Sequence, residues 1–256
     1  MKQLEEKTVK TILTPGQDPR MILAAKALFR EGYAPASDGA ADLVLCPPGW
    51  KEDKLADAAG QVLPGGILTA GSVTPSLAAR CAARGIRAIG LLEDPAYRAA
   101  NALATGEGTL ADAIRLFPRV LAGERVLVLG YGACGSEIAR LFAAAGCRVS
   151  VWSHPASLDR AARAGFPPAK AAELPQMALT VNTVPDPDFM PVLIGGLSPG
   201  SRFFQVASGP VPGEQALIDR GVVCYALPGL PGKYAPESEA KAILAVLRPA
   251  LAAAPG

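Results

Sequence analysis

The chain has 256 residues and a net charge of +2, and half of its residues are hydrophobic, so it holds enough apolar material for one or two packed domains. The small charge and the 5% aromatic content argue against nucleic acid or an anionic membrane as a partner. Five widely spaced cysteines without a Cys-x-x-Cys pair favour a reducing compartment and indicate neither a disulfide framework nor a metal site. Residues 1–10 are charged and no apolar run reaches the roughly 18 residues needed to cross a bilayer, so we expect a cytoplasmic protein.

The first part of the sequence alternates short apolar segments with amphipathic helical segments, and glycine or proline stands at most junctions. This alternation is typical of a parallel β-sheet whose strands are connected by helices. It predicts strands at 9–13, 42–46, 66–70 and 87–92. It predicts helices at 20–31, 51–59 and 75–84. We therefore predict a first α/β domain over residues 1–95.

A long helical segment, 94–117, follows, and we predict that it is interrupted around Thr-Gly-Glu-Gly at 105–108 and forms a hinge. Beyond it we predict a helix at 133–145. The strands predicted there are 125–129, 148–152, 179–183, 202–207 and 222–226. The hinge helix and these strands make a second domain over 96–235. We expect the final helix, within 236–256, to pack back on the first domain or near the hinge. The predicted fold class is α/β, with two doubly wound parallel-sheet domains joined by a helical hinge.

The most informative motif is a Gly-x-Gly-x-x-Gly sequence between the predicted strand 125–129 and the predicted helix 133–145. It comprises Gly130, Tyr131, Gly132, Ala133, Cys134 and Gly135. In a strand–loop–helix unit the first glycine permits a tight turn, the second lets the backbone approach a pyrophosphate, and the third allows close packing of helix on strand. The helix start then offers free amides to the phosphates. We therefore predict a Rossmann-type dinucleotide-binding domain; the alternative is a glycine-rich turn that binds no nucleotide.

The end of the strand 148–152 indicates which nucleotide is bound. NAD enzymes usually place an acidic residue there for the ribose 2′-hydroxyl, whereas this chain has Trp152, Ser153 and His154. The hydroxyl of Ser153, the imidazole of His154 and the nearby Arg160 are suited to a 2′-phosphate, so we predict NADP, with NAD less favoured. The alternative is that Ser153 and His154 form a solvated loop with loose selectivity. Because His154 is the only histidine and lies at the adenosine end, a Ser-His-Asp hydrolase is disfavoured.

Three further segments carry a family resemblance. They are 93–108 (with Asn-Ala-Leu-Ala-Thr-Gly-Glu-Gly), 181–185 (Val-Asn-Thr-Val-Pro) and 226–236 (Ala-Leu-Pro-Gly-Leu-Pro-Gly-Lys-Tyr-Ala-Pro). Together with the glycine loop they resemble the dipicolinate synthase A-subunit family, which has a Thr-Ala-Glu-Gly-Ala hinge, an Asn-Thr-Ile-Pro strand end and a Pro-Gly-Leu-Pro-Gly-Lys-x-Ala-Pro motif. Residues 208–213 depart from the Ser-x-Pro-Gly-Gly pattern of that family.

The resemblance implies an NADP-dependent oxidoreductase of sporulation. It would oxidise dihydrodipicolinate, or its hydroxy-tetrahydro precursor, to pyridine-2,6-dicarboxylate, with domain 1–95 binding this small dicarboxylate. It also implies that the partner is the flavoprotein-like B subunit of the synthase, and we expect a homo-oligomer. Two alternatives stay open: a non-catalytic NADP-binding or partner-binding protein, and a divergent two-domain dehydrogenase acting on another small carboxylate. The 2-hydroxyacid class is disfavoured because no histidine follows His154.

The candidate catalytic residues lie in the segments that carry the resemblance. Glu107 is a candidate general base, or else an acid favoured at a helix N-terminus. Lys233, expected in a loop, is a candidate partner of a substrate carboxylate, or else a solvated lysine. Asn101 is a candidate for a hydrogen bond to substrate, or else braces the hinge, and Thr105 is expected in the hinge beside Glu107, facing the cleft. Arg98 is a second candidate partner of a substrate carboxylate, or else forms a surface salt bridge.

Asn182, Thr183 and Val184 end a predicted strand at the edge where doubly wound sheets bind ligands. They are candidates for contact with the nicotinamide ribose or amide, and the alternative is turn chemistry before Pro185. Cys134 lies near a helix N-terminus, which lowers a thiol pKa, but a small packing residue is the favoured interpretation.

Overall fold

In the computed structural model of the chain, residues 10–37, 39–185 and 189–253 are described. The chain divides into two units. The first comprises Met1–Ala100 together with Ala235–Gly256, and the second is Asn101–Tyr234. Each unit holds one parallel five-stranded sheet with flanking helices, which confirms the predicted fold class.

The sheet of the first unit consists of β1 (Thr11–Leu13), β2 (Ala34–Pro35), β3 (Ala41–Val44), β4 (Val62–Ala70) and β5 (Arg87–Gly90). The helices between the strands are α1 (Pro19–Arg30), α2 (Glu52–Ala59) and α3 (Pro75–Ala82). The strands are parallel in the order β2-β1-β3-β4-β5, a doubly wound arrangement. Strand β2 was not predicted, because two residues are too few to show a periodicity.

Capping residues and apolar packing fix the helices of the first unit. Asp18 caps α1 by accepting a hydrogen bond from the Arg20 amide, which satisfies a donor that has no partner within the helix. The C-terminal helix α10 (Pro236–Ala252) contacts α1, and its Ile243 and Leu247 are fully buried in the same core as Leu28. A buried side chain of this size contributes roughly 1.5–3 kcal/mol, so this face holds the last helix firmly in the first unit.

A charged cluster is buried where α1 and α10 meet the start of the helix α4 (Pro95–Leu116). Arg20 forms a two-point ion pair with Asp18, with Nε–Oδ1 at 2.9 Å and Nη2–Oδ2 at 2.7 Å. The Tyr97 hydroxyl donates to Glu239 Oε2 at 3.0 Å, while Glu239 Oε1 has no hydrogen-bond partner among the described residues. Burial raises the pKa of Glu239 more than Tyr97 and Arg20 lower it, so this carboxyl retains its proton above the usual range.

The sheet of the second unit consists of β6 (Arg125–Leu129), β7 (Arg148–Trp152), β8 (Leu179–Asn182), β9 (Arg202–Gln205) and β10 (Val223–Ala226). The further helices of this unit are α5 (Ala133–Ala144), α6 (Pro155–Arg163), α7 (Met190–Gly196), α8 (Glu214–Asp219) and α9 (Leu230–Tyr234). The order β10-β9-β8-β6-β7 repeats that of the first unit, with all strands parallel. The continuous apolar sequence of β6 follows from the burial of both its faces, because Val126 and Val128 lie in one hydrophobic core and Leu127 and Leu129 lie in another.

The helix α4 corrects the predicted interruption at 105–108, because it runs unbroken for 22 residues. Its glycines serve close packing instead. A Cβ on Gly106 would lie 2.8 Å from Leu141 Cδ1, and a Cβ on Gly108 would lie 2.8 Å from the Tyr234 ring. None of the helices in the described ranges, α4 included, combines the length and apolar character that a membrane crossing requires.

Candidate functional site

The glycine loop joins β6 to α5, and its three glycines meet different surroundings. Gly130 has a φ of +88°, and a Cβ there would lie 2.7 Å from Thr183 Oγ1. A Cβ on Gly135 would lie 2.2 Å from the carbonyl oxygen of Gly130. A Cβ on Gly132 would meet no atom within 4 Å. Gly130 and Gly135 are therefore required by packing within the protein, whereas Gly132 keeps an open space beside the loop.

The N-terminus of α5 faces this loop without a side-chain cap. Gly132 is the N-cap residue and has no side chain that can accept the first amides of the helix. Those amides have no intrahelical acceptor, and together with the helix dipole they attract an anion. Helix α5 is 12 residues long, so its dipole is well developed. Tyr131, a predicted cofactor contact, lies with its side chain in the core, and its carbonyl accepts a hydrogen bond from Arg160 Nη2 at 3.1 Å.

A cavity of about 270 Å³ lies at the carboxyl end of β7. It is lined by Trp152, Ser153, His154, Pro155 and Phe189. The rings of Trp152 and Phe189 are stacked, with centroids 5.4 Å apart and planes at 23°. The structure thus brings together the three residues predicted at the end of this strand and adds Phe189, which no motif in the sequence marks. Among the described residues that line the cavity, none carries a carboxylate.

Arg160 lies on α6, the helix that follows β7 and the cavity-lining residues Ser153 and His154 in the sequence. Its Nη2 donates to the carbonyl oxygen of Tyr131 and to Ser157 Oγ, both at 3.1 Å. The guanidinium therefore links α6 to the glycine loop, although the residue as a whole is exposed. A guanidinium in this place keeps further N–H groups for an anion.

Asn182 ends β8 and is fully buried, so its side chain does not reach open space. Its Nδ2 donates to the Val184 carbonyl at 2.8 Å and to Gln205 Oε1 at 2.7 Å, and its Oδ1 accepts from the Val184 amide at 3.0 Å. The Thr183 hydroxyl donates to the carbonyl of Leu129 at 2.7 Å. These contacts are turn chemistry, the alternative foreseen for this segment, and they involve Gln205, which the sequence did not mark.

Three of the residues predicted to be catalytic lie on α4 in the second unit. Thr105 is buried, and its hydroxyl donates to the carbonyl of Asn101 at 2.6 Å. Asn101 itself is half-buried. Glu107 is exposed and lies in the middle of the helix, so the suggested position at a helix N-terminus is wrong. Arg98 is exposed on the part of the same helix that belongs to the first unit.

Lys233 lies in the short helix α9 and not in a loop, which corrects the prediction. Its Nζ lies 3.0 and 3.1 Å from the two carboxylate oxygens of Asp112, a buried residue of α4. Tyr234 and Arg115 donate to the same carboxylate. Burial opposes ionisation of Asp112, but the hydrogen bonds from Tyr234, Lys233 and Arg115 outweigh it and lower the pKa. The half-exposed Lys233 is thus paired with Asp112, an anionic partner that the sequence analysis did not identify.

Cys134 occupies the second position of α5. Burial raises the pKa of this thiol, and the neighbouring Thr105 opposes the shift only in part. The thiol therefore stays protonated at neutral pH and acts as a packing residue. Within the described ranges, no group of three or more histidine, cysteine or acidic side chains is arranged to hold a metal ion.

No family model matches the sequence. The A subunit of dipicolinate synthase from Bacillus subtilis strain 168 is 31% identical over 158 residues, which are 59% of this chain and 53% of that protein. The chain therefore matches about half the length of this curated relative.

Solved structures extend the likeness to almost the whole chain. The dipicolinate synthase A subunit from Bacillus halodurans superposes with a TM-score of 0.80 at 21% identity, over 95% of this chain and 98% of that one. Its counterpart in the dipicolinate synthase from Bacillus subtilis gives 0.76 at 23% identity, over 96% of each chain. The predicted resemblance to the dipicolinate synthase A-subunit family is confirmed.

More distant structures share the fold with this family. A transhydrogenase from Sinorhizobium meliloti gives a TM-score of 0.65 at 14% identity, over 96% of this chain and 94% of that one. An L-alanine dehydrogenase gives 0.58 at 16% identity, over 89% and 76%. The fold of the chain is therefore one that oxidoreductases use, as predicted.

Proposed function

We propose that the chain is an NADP-preferring oxidoreductase of the dipicolinate synthase A type that acts on a small cyclic dicarboxylate. The observation that carries this proposal is the open space at Gly132 beside the uncapped start of α5. A pyrophosphate fits there because backbone amides and the helix dipole supply the attraction and no side chain fills the space. The likeness to the A subunit of dipicolinate synthase supports the choice of reaction.

The cavity at the end of β7 supports NADP over NAD. An acidic residue at the end of this strand would repel a 2′-phosphate, and the described residues of the lining include none. Ser153 and His154 offer a hydroxyl and an imidazole, and Arg160 is held near the glycine loop. Trp152 and Phe189 offer apolar ring surface to an adenine. The expected preference is set by these five side chains.

The chemistry proposed is removal of a hydride and a proton from a dihydropyridine dicarboxylate, which leaves the aromatic pyridine-2,6-dicarboxylate. The nicotinamide nucleotide supplies a hydride acceptor when bound. The chain must orient the ring, neutralise its carboxylates and take up the proton. Glu107, exposed on α4, is our candidate for the proton. Lys233 has three donor hydrogens, so it can hold Asp112 and still bind a carboxylate.

A specific observation favours a second candidate, a non-catalytic nucleotide-binding protein. The hydroxyl of Thr105 and the ammonium of Lys233 both have internal partners, Asn101 and Asp112. A protein that binds NADP and lends it to a partner, such as the flavoprotein-like B subunit, needs the glycine loop but no complete catalytic set. The two candidates differ in whether the chain alone turns over.

The decisive experiment is an assay of the full-length chain with NADP⁺ and dihydrodipicolinate, first without and then with the flavoprotein-like partner. Formation of NADPH together with pyridine-2,6-dicarboxylate by the chain alone supports the enzyme. Turnover that requires the partner and is unchanged in Glu107→Gln and Lys233→Met supports the second candidate. Glu237→Gln, an exposed glutamate on α10, is the matched control for Glu107→Gln.

A further inference from the structure

The carboxyl ends of β8 and β9 are joined by a buried pair of amide side chains. Asn182 and Gln205 are the last residues of these strands and are direct partners in the sheet register. They are 0% and 1% exposed. Asn182 Nδ2 donates to Gln205 Oε1 at 2.7 Å, and Gln205 Nε2 donates to the carbonyl of Ala207 at 3.2 Å. With the bonds between Asn182 and Val184, the pair makes a continuous chain from one loop to the next.

This chain of hydrogen bonds points at loop backbone rather than along the sheet. It fixes Val184 after β8 and Ala207 after β9, and the amides of Val206 and Ala207 both donate to the Asn182 carbonyl. Sheet pairing alone does not require buried amides, and the neighbouring core positions Val181 and Phe204 are apolar. Burying two amides is costly unless they are fully satisfied. Their use here indicates that the position of the two loops matters.

The placement of the loops suggests why. A dinucleotide whose pyrophosphate lies at the start of α5 extends in both directions along the carboxyl edge of the sheet. The aromatic cavity at the end of β7 occupies the side of β6 away from β8. The other half of the dinucleotide then lies above the ends of β8 and β9. We propose that Gln205, acting with Asn182, is a positioning residue that sets the backbone of Val184 and Ala207 against the nicotinamide half.

This inference rests on the proposed nucleotide binding and changes the role predicted for Asn182. Its donors and its acceptor are all used inside the protein, so it acts through Val184 and Gln205 and makes no contact with the ligand itself. Gln205 likewise accepts from Asn182 and donates to the carbonyl of Ala207 inside the protein. Loss of the pair therefore disturbs the nicotinamide half and leaves the adenosine half, on the far side of β6, as it is.

Two variants of the full-length chain test this. Gln205→Met removes both hydrogen bonds at nearly constant volume, and Gln205→Glu keeps an acceptor for Asn182 but loses the donor to Ala207. Gln215→Met is the matched control, since Gln215 is an exposed residue of α8. Affinities for NADPH and for adenosine 2′,5′-bisphosphate, which lacks the nicotinamide half, are measured by calorimetry. Circular dichroism identifies the variants that fold, and either folded variant suffices.

We expect NADPH binding about tenfold weaker in the Gln205 variants, the effect of one or two buried hydrogen bonds. Binding of adenosine 2′,5′-bisphosphate stays within about twofold, and Gln215→Met changes neither. Equal weakening of both ligands indicates a structural role only and overturns the inference, as does unchanged NADPH binding. A wild-type chain that binds neither ligand refutes the proposed function as well, so the two failures are distinguishable.

Discussion

Replacement of Gly135 by alanine is expected to destabilise the second unit, and the magnitude follows from two opposing effects. Alanine inside a helix is favoured over glycine by roughly 0.5–1 kcal/mol. The added Cβ, however, would lie 2.2 Å from the Gly130 carbonyl oxygen and 3.2 Å from Thr183 Oγ1. The first of these is a backbone atom held in a turn with φ of +88°, so it yields little. Overpacking of this kind costs about 3 kcal/mol or more, which leaves a net loss of about 2 kcal/mol.

Thermal unfolding followed by circular dichroism measures this loss. About 2 kcal/mol lowers the melting temperature of a unit of this size by roughly 4–8 °C. Gly132→Ala is the matched control: its Cβ meets open space, its φ is −85°, and the loss of a glycine N-cap costs at most about 1 kcal/mol. Equal stability of Gly135→Ala and wild type would refute the account of close packing between helix and loop.

Three further changes test other parts of the structure. Asp112→Asn weakens the contact with Lys233 and lowers the free energy of unfolding by about 2 kcal/mol in urea titrations at pH 7. Because the pKa of Asp112 is lowered on folding, this difference persists above about pH 4 and shrinks as pH falls through the folded pKa. A difference that grows on acidification would contradict the ion pair. The pKa of Glu239 is raised on folding, so the stability contributed by its protonated carboxyl is complete below about pH 4.3 and is lost as pH rises through the folded pKa. Glu239→Gln is therefore expected to gain stability relative to wild type as the pH is raised from about 4 to about 7. A stability difference that stays constant over this range would argue against a protonated carboxyl. Phe189→Ala removes the ring stacked on Trp152 and should weaken binding of adenosine 2′,5′-bisphosphate about three- to tenfold in calorimetry, whereas unchanged affinity would place the adenosine elsewhere.

The elements with a strong local pattern were predictable from the sequence. In the strand at 125–129 every residue after the first is apolar, and both faces of β6 are buried. The glycine loop was predictable because its spacing is local and Gly135 packs on the Gly130 carbonyl five positions before it. The contact of Gly130 with Thr183 was not predictable in this way, because Thr183 is distant in the sequence. Helices α6 to α9 were missed, since they are short or polar or contain proline and glycine. Their positions depend on packing against the sheet, which no local pattern reports.

The interruption predicted at 105–108 was wrong for a physical reason. Glycine usually weakens a helix, so two glycines in four residues suggested a break. In α4 they allow close approach of Leu141 and Tyr234, a cause that lies far away in sequence. The same limit applies to Lys233, whose partner Asp112 is 121 positions distant. Local sequence marks a residue as unusual, but its partner is a property of the tertiary structure.

The candidate site was predictable at the glycine loop and at the end of β7, and less so elsewhere. Ser153 and His154, predicted as cofactor contacts, line one cavity in the structure, and Phe189 lines it from a position that no motif marks. Asn182 was identified by its place at a strand end, but burial gives it an internal role. Gln205 follows no motif and is recognised only when β8 and β9 are paired.

The central claim is that the space beside Gly132 holds the pyrophosphate of a nicotinamide nucleotide. Its most direct test is a paired fluorescence titration of wild type and Gly132→Ala with NADPH and NADH. We predict tighter binding of NADPH than of NADH by wild type, and a loss of at least tenfold in Gly132→Ala at nearly unchanged melting temperature. Binding of neither nucleotide by folded wild type, or equal binding by the variant, would contradict the account.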